Sequence, residues 1–306
     1  MTSRVHPDFF IVGAPKCGTT SLYTYLESHP GIFMSPVKEP YHFCPDLHIG
    51  LPTIADRERY LDLFRGATAG ERAGEASVWY LYSSRAARLI REFNPAARII
   101  IMLRSPADMA YSLYNHYRYS GVEPLASFEE ALAAEAERRE GRRLPARRDV
   151  RETLYYREVA RYAPQVKRYL DEFGRDRVHV ILFDNLRDRT EAVYRDTLAF
   201  LGVESGIVAP DFDVVNEAKR IGVPVLHRLL SRPAPAALKS MVRGWPAGRR
   251  FRRWLRRTNA RLGPKVEMAP ETRRRLEREL RADVEALGDL IGCDLSAWTA
   301  SQDASA

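Results

Sequence analysis

The stretch from Phe9 to Phe43 limits the folds open to this chain more than any other. An apolar run, Phe9-Phe10-Ile11-Val12, leads into Gly13-Ala14-Pro15-Lys16-Cys17-Gly18-Thr19-Thr20. Leu22, Tyr25 and Leu26 follow at helical spacing. Strand, glycine-bounded loop and helix, in that order, present main-chain N–H groups to a phosphate. Gly13 and Gly18 have the Walker A spacing G-x-x-x-x-G, but Thr19 stands where that loop carries its lysine. The lysine lies inside the loop instead, at Lys16. An anion cradle without the terminal-phosphate lysine points to a phosphate ester other than an ATP γ-phosphate with Mg²⁺. The same residues would also make a plain strand-to-helix corner.

Beyond this stretch, apolar runs alternate with amphipathic ones. That predicts an α/β, P-loop-like, three-layer fold: a central, mostly parallel sheet flanked by helices, with a helical C-terminal part. Residues 32–34, 98–103 and 177–183 read as strands, the last two as continuous runs buried on both faces, and 74–80 reads as a strand leading into a loop. Helices are expected over 56–64, 84–93, 127–139 and 152–173, the last kinked at Pro164 with its tyrosines in the core. Ser105 and Pro106 should cap and open another. A helix carrying Val193, Tyr194, Leu198 and Leu201 closes at Gly202, and a last one runs from Pro270 with Leu276, Leu280, Val284, Leu287 and Ile291 on one stripe. One domain is expected over 1–300, with a C-terminal helix within 267–298 and a disordered tail at 301–306. Residues 140–150 read as a mobile loop, either a lid on the acceptor side or a solvated connection.

No apolar run approaches the roughly 20 residues that span a bilayer, and the N-terminus lacks a signal-peptide apolar region. A cytoplasmic location is expected. Cys17, Cys44 and Cys293 make no metal pattern and read as reduced thiols, with a Cys17–Cys44 bridge as the alternative. Charge is uneven: residues 218–266 hold fourteen Lys and Arg and no Asp or Glu, so the formal +8 belongs to one segment. Within it, 243–262 is expected to touch an anionic membrane surface or an acidic acceptor. A solvated, arginine-rich helix docked by Phe251, Trp254, Leu255 and Leu262 is the other reading of 248–265. Nucleic acid is not the expected partner, and the sequence leaves the oligomeric state open.

A second chemical constellation follows the strand at 98–103. Arg104 ends it, where open α/β sheets bind ligands, and a guanidinium there takes a phosphate bidentately. Ser112, two turns into the next helix, offers a hydroxyl to the same group. A strand-end surface ion pair is the alternative use of Arg104. Near the cradle in sequence, Ser35-Pro36-Val37-Lys38-Glu39-Pro40 is a stiff, non-helical loop. Adjacent residues of an extended chain point to opposite sides, so Lys38 and Glu39 need not pair.

GAPKCGTTSLYTYLESHP resembles the 5′-phosphosulfate loop of sulfotransferases that use 3′-phosphoadenosine 5′-phosphosulfate (PAPS). VKEPYHF resembles the bacterial branch and its carbohydrate, heparan-type relatives. RIIIMLRSPADMAYSLYNHY is similar to the family's 3′-phosphate motif, at Arg104, Pro106, Ala110, Ser112 and Tyr114. DVVNEAKRIG (213–222) resembles a late segment closing over the nucleotide, which would add Lys219 and Arg220. GEASVWY (74–80) resembles the second core strand but has Ala76 where a Lys is frequent and Val78 where a Pro is.

The resemblance implies in-line transfer of a sulfuryl group from PAPS to a hydroxyl or amine of a glycan, glycolipid or secondary metabolite, without a metal. Pro15, Lys16, Cys17, Gly18, Thr19, Thr20, Ser21, Arg104, Ser112, Lys219 and Arg220 would bind the nucleotide. Lys16 would help the phosphate leave. Glu39, at the position resembling the family's catalytic Glu, is the expected base, with His42 second and Glu75 third. Lys38, Glu39 and Glu75 would line the acceptor side. The competing use of Glu39 is a structural carboxylate paired with Lys38 or an Arg. Two rival functions are a P-loop nucleotide or small-molecule kinase, and a non-catalytic protein whose basic segment binds nucleic acid or membrane.

Overall fold

The computed structural model describes residues 6–145, 150–204, 212 and 267–300. Lys219, Arg220, the basic 218–266 segment, its 243–262 portion and the 301–306 tail lie outside the described residues, as do 146–149 of the expected lid.

Among the described residues five strands form one sheet: β1 (Phe9–Gly13), β2 (Ile32–Met34), β3 (Arg72–Ala76), β4 (Arg98–Leu103) and β5 (Val178–Leu182). All pair in parallel, in the order β2-β3-β1-β4-β5. β1 pairs with β3 and β4 and is buried along its whole length, as an unbroken apolar run in a covered parallel sheet must be. Helix α1 (Thr19–Glu27) connects β1 to β2, α2 (Arg57–Asp62) connects β2 to β3, and α3 (Ala86–Phe93) connects β3 to β4. Between β4 and β5 lie α4 (Pro106–Ser120), α5 (Phe128–Ala133), α6 (Glu135–Arg139), α7 (Tyr156–Val159) and α8 (Tyr162–Phe173). After β5 come α9 (Phe183–Asp188), α10 (Thr190–Leu201) and α11 (Pro270–Ile291), the last lying against α4 and α8.

The chain leaves β1 toward β2 on one side of the sheet and leaves β4 toward β5 on the other. The carboxyl ends of these two adjacent strands therefore flank a topological switch point, where ligands of open α/β sheets bind.

Four expectations need correction. The helix expected over 127–139 is two, α5 and α6, which meet at Ala134. The long helix expected over 152–173 is a 3₁₀ turn (Glu152–Leu154), then α7, then α8. Pro164 does not kink it. The chain opens at Arg161, which puts Pro164 in the first turn of α8, where a missing N–H loses no intrahelical bond. Gln165 Nε2 then donates to the carbonyls of Val159 and Arg161, and Asp283 of α11 accepts from the N–H groups of Tyr162 and Ala163. Ser105 precedes α4 as expected, but its side chain makes no capping bond. Tyr155, Tyr162 and Tyr169 are core residues. The three cysteines are unpaired, Cys17 and Cys44 buried and Cys293 exposed. No described helix is long and apolar enough to cross a membrane.

Candidate active site

The loop between β1 and α1 is shaped by its two glycines. At Gly13, φ is +146° and a Cβ would lie 2.7 Å from the Val78 carbonyl, so no side chain fits there. Gly18 caps α1 in the left-handed region, φ +86°, with no side-chain bond to the first turn. Ser21 N–H donates to the Gly18 carbonyl at 3.0 Å, which leaves the N–H groups before it without an acceptor in the helix, and no acidic residue lies in that turn. Such an end attracts an anion. Ala14 N–H donates to the Met102 carbonyl at 2.7 Å, which ties the loop to β4. Pro15, Cys17 and Thr19 are buried, while Lys16, Gly18, Thr20 and Ser21 are partly exposed. Lys16 adopts φ +64°. Cys17 Sγ lies 4.0 Å from Tyr162 Oη, and burial pushes its thiol up to about 12, so it stays protonated beneath the cradle.

Arg104 leaves the end of the neighbouring β4, half-buried. Its guanidinium lies 5.1 Å over the Phe183 ring, and the Cβ position of Gly18 is 3.0 Å from the same ring. Phe183, the first residue of α9, thus packs against both the cradle and Arg104. Positive charge from Arg104 and Lys16 reaches Cys17. The two motifs proposed from sequence for one nucleotide therefore meet at the switch point. Ser112 is partly exposed on α4, four residues beyond Asp108 and so on the same side of the helix.

The loop carrying Glu39 is built differently. Glu39 and Tyr41 are left-handed, at φ +67° and +52°. Tyr41 Oη donates to Glu39 Oε2 at 2.8 Å. Lys38 Nζ donates to Glu39 Oε1, also at 2.8 Å. The neighbours expected to diverge thus pair, because the left-handed turn at Glu39 interrupts the extended chain. The loop main chain is pinned at three places: Glu39 N–H to the Ala76 carbonyl, Tyr41 N–H to Ser77 Oγ, and Phe43 N–H to Tyr80 Oη.

Glu75 anchors these pins. It is fully buried, and accepts from Ser77 Oγ at 2.7 Å and from the Tyr60 and Tyr80 hydroxyls at 2.9 Å. Burial raises its pKa to about 7, against the opposing pull of those three hydroxyls and of Lys38. It sits behind the loop, not on an open acceptor surface. His42 is also engaged elsewhere: its Nδ1 is 2.7 Å from the Ile54 carbonyl and its ring stacks on Tyr60 at 4.3 Å. Burial lowers its pKa. Glu39 is the half-exposed carboxylate of the three. Sequence reading missed Tyr41, whose contact depends on the left-handed turns, and Phe183, which no local pattern marks; it marked Tyr162 for the core without its contact to Cys17.

The model of one protein family, described as the sulfotransferase domain, matches residues 6–216. Human carbohydrate sulfotransferase 15 is 32% identical over 159 residues, which cover 38% of this chain and 28% of that protein. Mouse bifunctional heparan sulfate N-deacetylase/N-sulfotransferase 4 is 30% identical over 211 residues, 64% of this chain and 22% of that protein. The chain spans about a quarter of the length of these curated relatives. A crystal structure of a sulfotransferase from Alicyclobacillus acidocaldarius matches with a TM-score of 0.72 at 35% identity, covering 96% of this chain and 99% of that one.

Proposed function

Because the chain belongs to the sulfotransferase family, we propose that it moves a sulfuryl group from PAPS to a hydroxyl or amine of a glycan-type acceptor, with Glu39 as general base. One observation carries the reading: the Gly13–Gly18 loop and Arg104 meet at the ends of adjacent strands, with Phe183 against both. A helix N-terminus free of acid, a lysine in the loop and a guanidinium make a donor set that suits a nucleotide with phosphates at both ends.

When bound, PAPS supplies a sulfuryl group activated on a nucleotide phosphate. The N–H groups from Cys17 to Thr20 hold that 5′-phosphate, and Arg104 with Ser112 holds the 3′-phosphate. Lys16 stabilises the charge that grows on the departing phosphate oxygen. Glu39 takes the acceptor proton as the acceptor atom bonds sulfur and the phosphate oxygen leaves. Its Oε1 accepts from Lys38 and its Oε2 from Tyr41, and each oxygen retains a second lone pair for the acceptor. Lys38 puts a cation beside Glu39 where Ala76 brings none. The named substrates of the relatives, carbohydrate and heparan sulfate, support a glycan as the first acceptor to try.

The test is calorimetry with 3′-phosphoadenosine 5′-phosphate (PAP), the desulfated product, in buffer without added metal. Wild type should bind, and Arg104→Ala should bind about 30-fold more weakly, the loss of a charged bidentate contact. Absence of binding by a folded wild type sinks the reading.

A further inference from the structure

Asp108 stands between two arginines. It is the third residue of α4, where a carboxylate is favourable at the helix N-terminus. Arg104 Nη2 is 3.9 Å from its Oδ2, and Arg273 Nη2 of α11 is 2.6 Å from its Oδ1. The side chains of Arg104, Asp108 and Arg273 are 29%, 31% and 33% exposed, so all three are screened alike and distance decides which pair is stronger. Arg273 holds the carboxylate in a hydrogen bond, while Arg104 stays at the outer limit of an ion pair. Among the described residues Asp108 is the one acid paired with Arg104.

A carboxylate this close to a phosphate-binding guanidinium competes with the phosphate. We propose that Arg273 is a positioning residue of the donor site: it draws Asp108 aside and so keeps Arg104 available to the 3′-phosphate. This rests on the reading of Arg104 as a ligand of that phosphate. It gives α11, which lies beyond residues 6–216, a part in donor binding. The same helix caps α8 through Asp283, next to the Tyr162 that packs under Cys17. One helix thereby backs both halves of the cradle.

Without Arg273, Asp108 turns fully to Arg104, its neighbour one helical turn away. PAP titrations of wild type, Arg273→Ala, Asp108→Asn and the double variant test this. Arg273→Ala should weaken PAP about fivefold, the size of a half-exposed ion pair. Asp108→Asn should bind at least as well as wild type, and the double variant should bind like Asp108→Asn. That rescue separates the proposal from a merely structural role and from direct contact of Arg273 with the nucleotide. Wild-type affinity in Arg273→Ala, or a double variant as weak as Arg273→Ala, overturns it.

A second readout needs no nucleotide. In thermal unfolding of the ligand-free protein, Arg104→Ala should lower Tm by roughly 1–2 °C more in the Arg273→Ala background than in wild type, because there Asp108 has turned to Arg104. Equal shifts overturn the proposal. A folded wild type that ignores PAP defeats the donor reading, and this cycle still decides whether Arg273 holds Asp108 away from Arg104.

Discussion

Lys16 and Glu39 share a backbone conformation and differ in what enforces it. Both are non-glycine residues in the left-handed region, at φ +64° and +67°. Each such residue costs about 1–2 kcal/mol, which the surroundings must offset. Around Lys16 the main chain and the glycines do this: Gly13 and Gly18 take the turns, and Ala14 N–H is tied to β4. Around Glu39 one main-chain bond, from its N–H to the Ala76 carbonyl, is joined by side chains. Ser77 and Tyr80 hold the loop, and both lean on the buried Glu75. The proposed donor cradle therefore offers N–H groups that no side-chain substitution removes, while the proposed acceptor loop depends more on a few polar side chains and one carboxylate. Two parts of one site should respond differently to single substitutions.

The largest effect expected is at Glu39. Glu39→Gln keeps the shape of the side chain and removes the proposed base, so sulfuryl transfer should fall about 1,000-fold, within the span of general base catalysis. PAP affinity should stay within about twofold, because the donor cradle does not rest on this loop. Initial rates with PAPS and a glycan acceptor, beside a PAP titration, measure both. Near-normal transfer would falsify the base assignment, and a parallel loss of PAP affinity would show that the two loops are coupled.

The same contrast explains what was legible in the sequence. The strands, their parallel sense and the cradle follow from local pattern: apolar runs, glycine spacing, a strand-end arginine; that β1 and β4 lie side by side does not. Signals of this kind lie within a few residues of what they shape. Glu39 was proposed the same way, from its stiff proline-bounded loop and its resemblance. Its left-handed turn was not, because a non-glycine residue takes that conformation only when distant groups enforce it, here Ser77 and Tyr80. Glu75 read as a possible base because a carboxylate in sequence carries no mark of burial. The break at Arg161 depends on Asp283, more than a hundred residues on. Arg273 meets Asp108 only through the packing of α11 on α4.

A smaller effect is expected at Gly18, where the cradle can be disturbed. Gly18→Ala puts a Cβ at 3.0 Å from Phe183 and Leu186 and forces φ +86° on a residue that resists it. A strain of about 1–2 kcal/mol within the phosphate loop should weaken PAP about tenfold. Phe183 passes the push toward Arg104, which lies 5.1 Å over the same ring. Saturation with acceptor should be little changed. If the acceptor KM rose while PAP affinity held, the division between main-chain and side-chain control would be wrong.

Glu75→Gln should have the smallest effect on rate near neutral pH, a loss of about threefold, because with a pKa of about 7 the carboxyl is already protonated in part. Its signature is in stability. The folded protein raises this pKa from 4.5 to about 7. Between these values the native state holds a proton that the unfolded chain has released, so wild-type stability falls as pH rises from about 4.5 to about 7 and this contribution is level above that. The full span is at most about 3 kcal/mol. Gln cannot release that proton. The Tm of Glu75→Gln relative to wild type should therefore climb from pH 4.5 to 7.5. The opposite slope would mean that Ser77, Tyr60, Tyr80 and Lys38 stabilise the carboxylate more than burial penalises it. Glu75 would then hold the Glu39 loop as an ion, with the loop weakening on acidification.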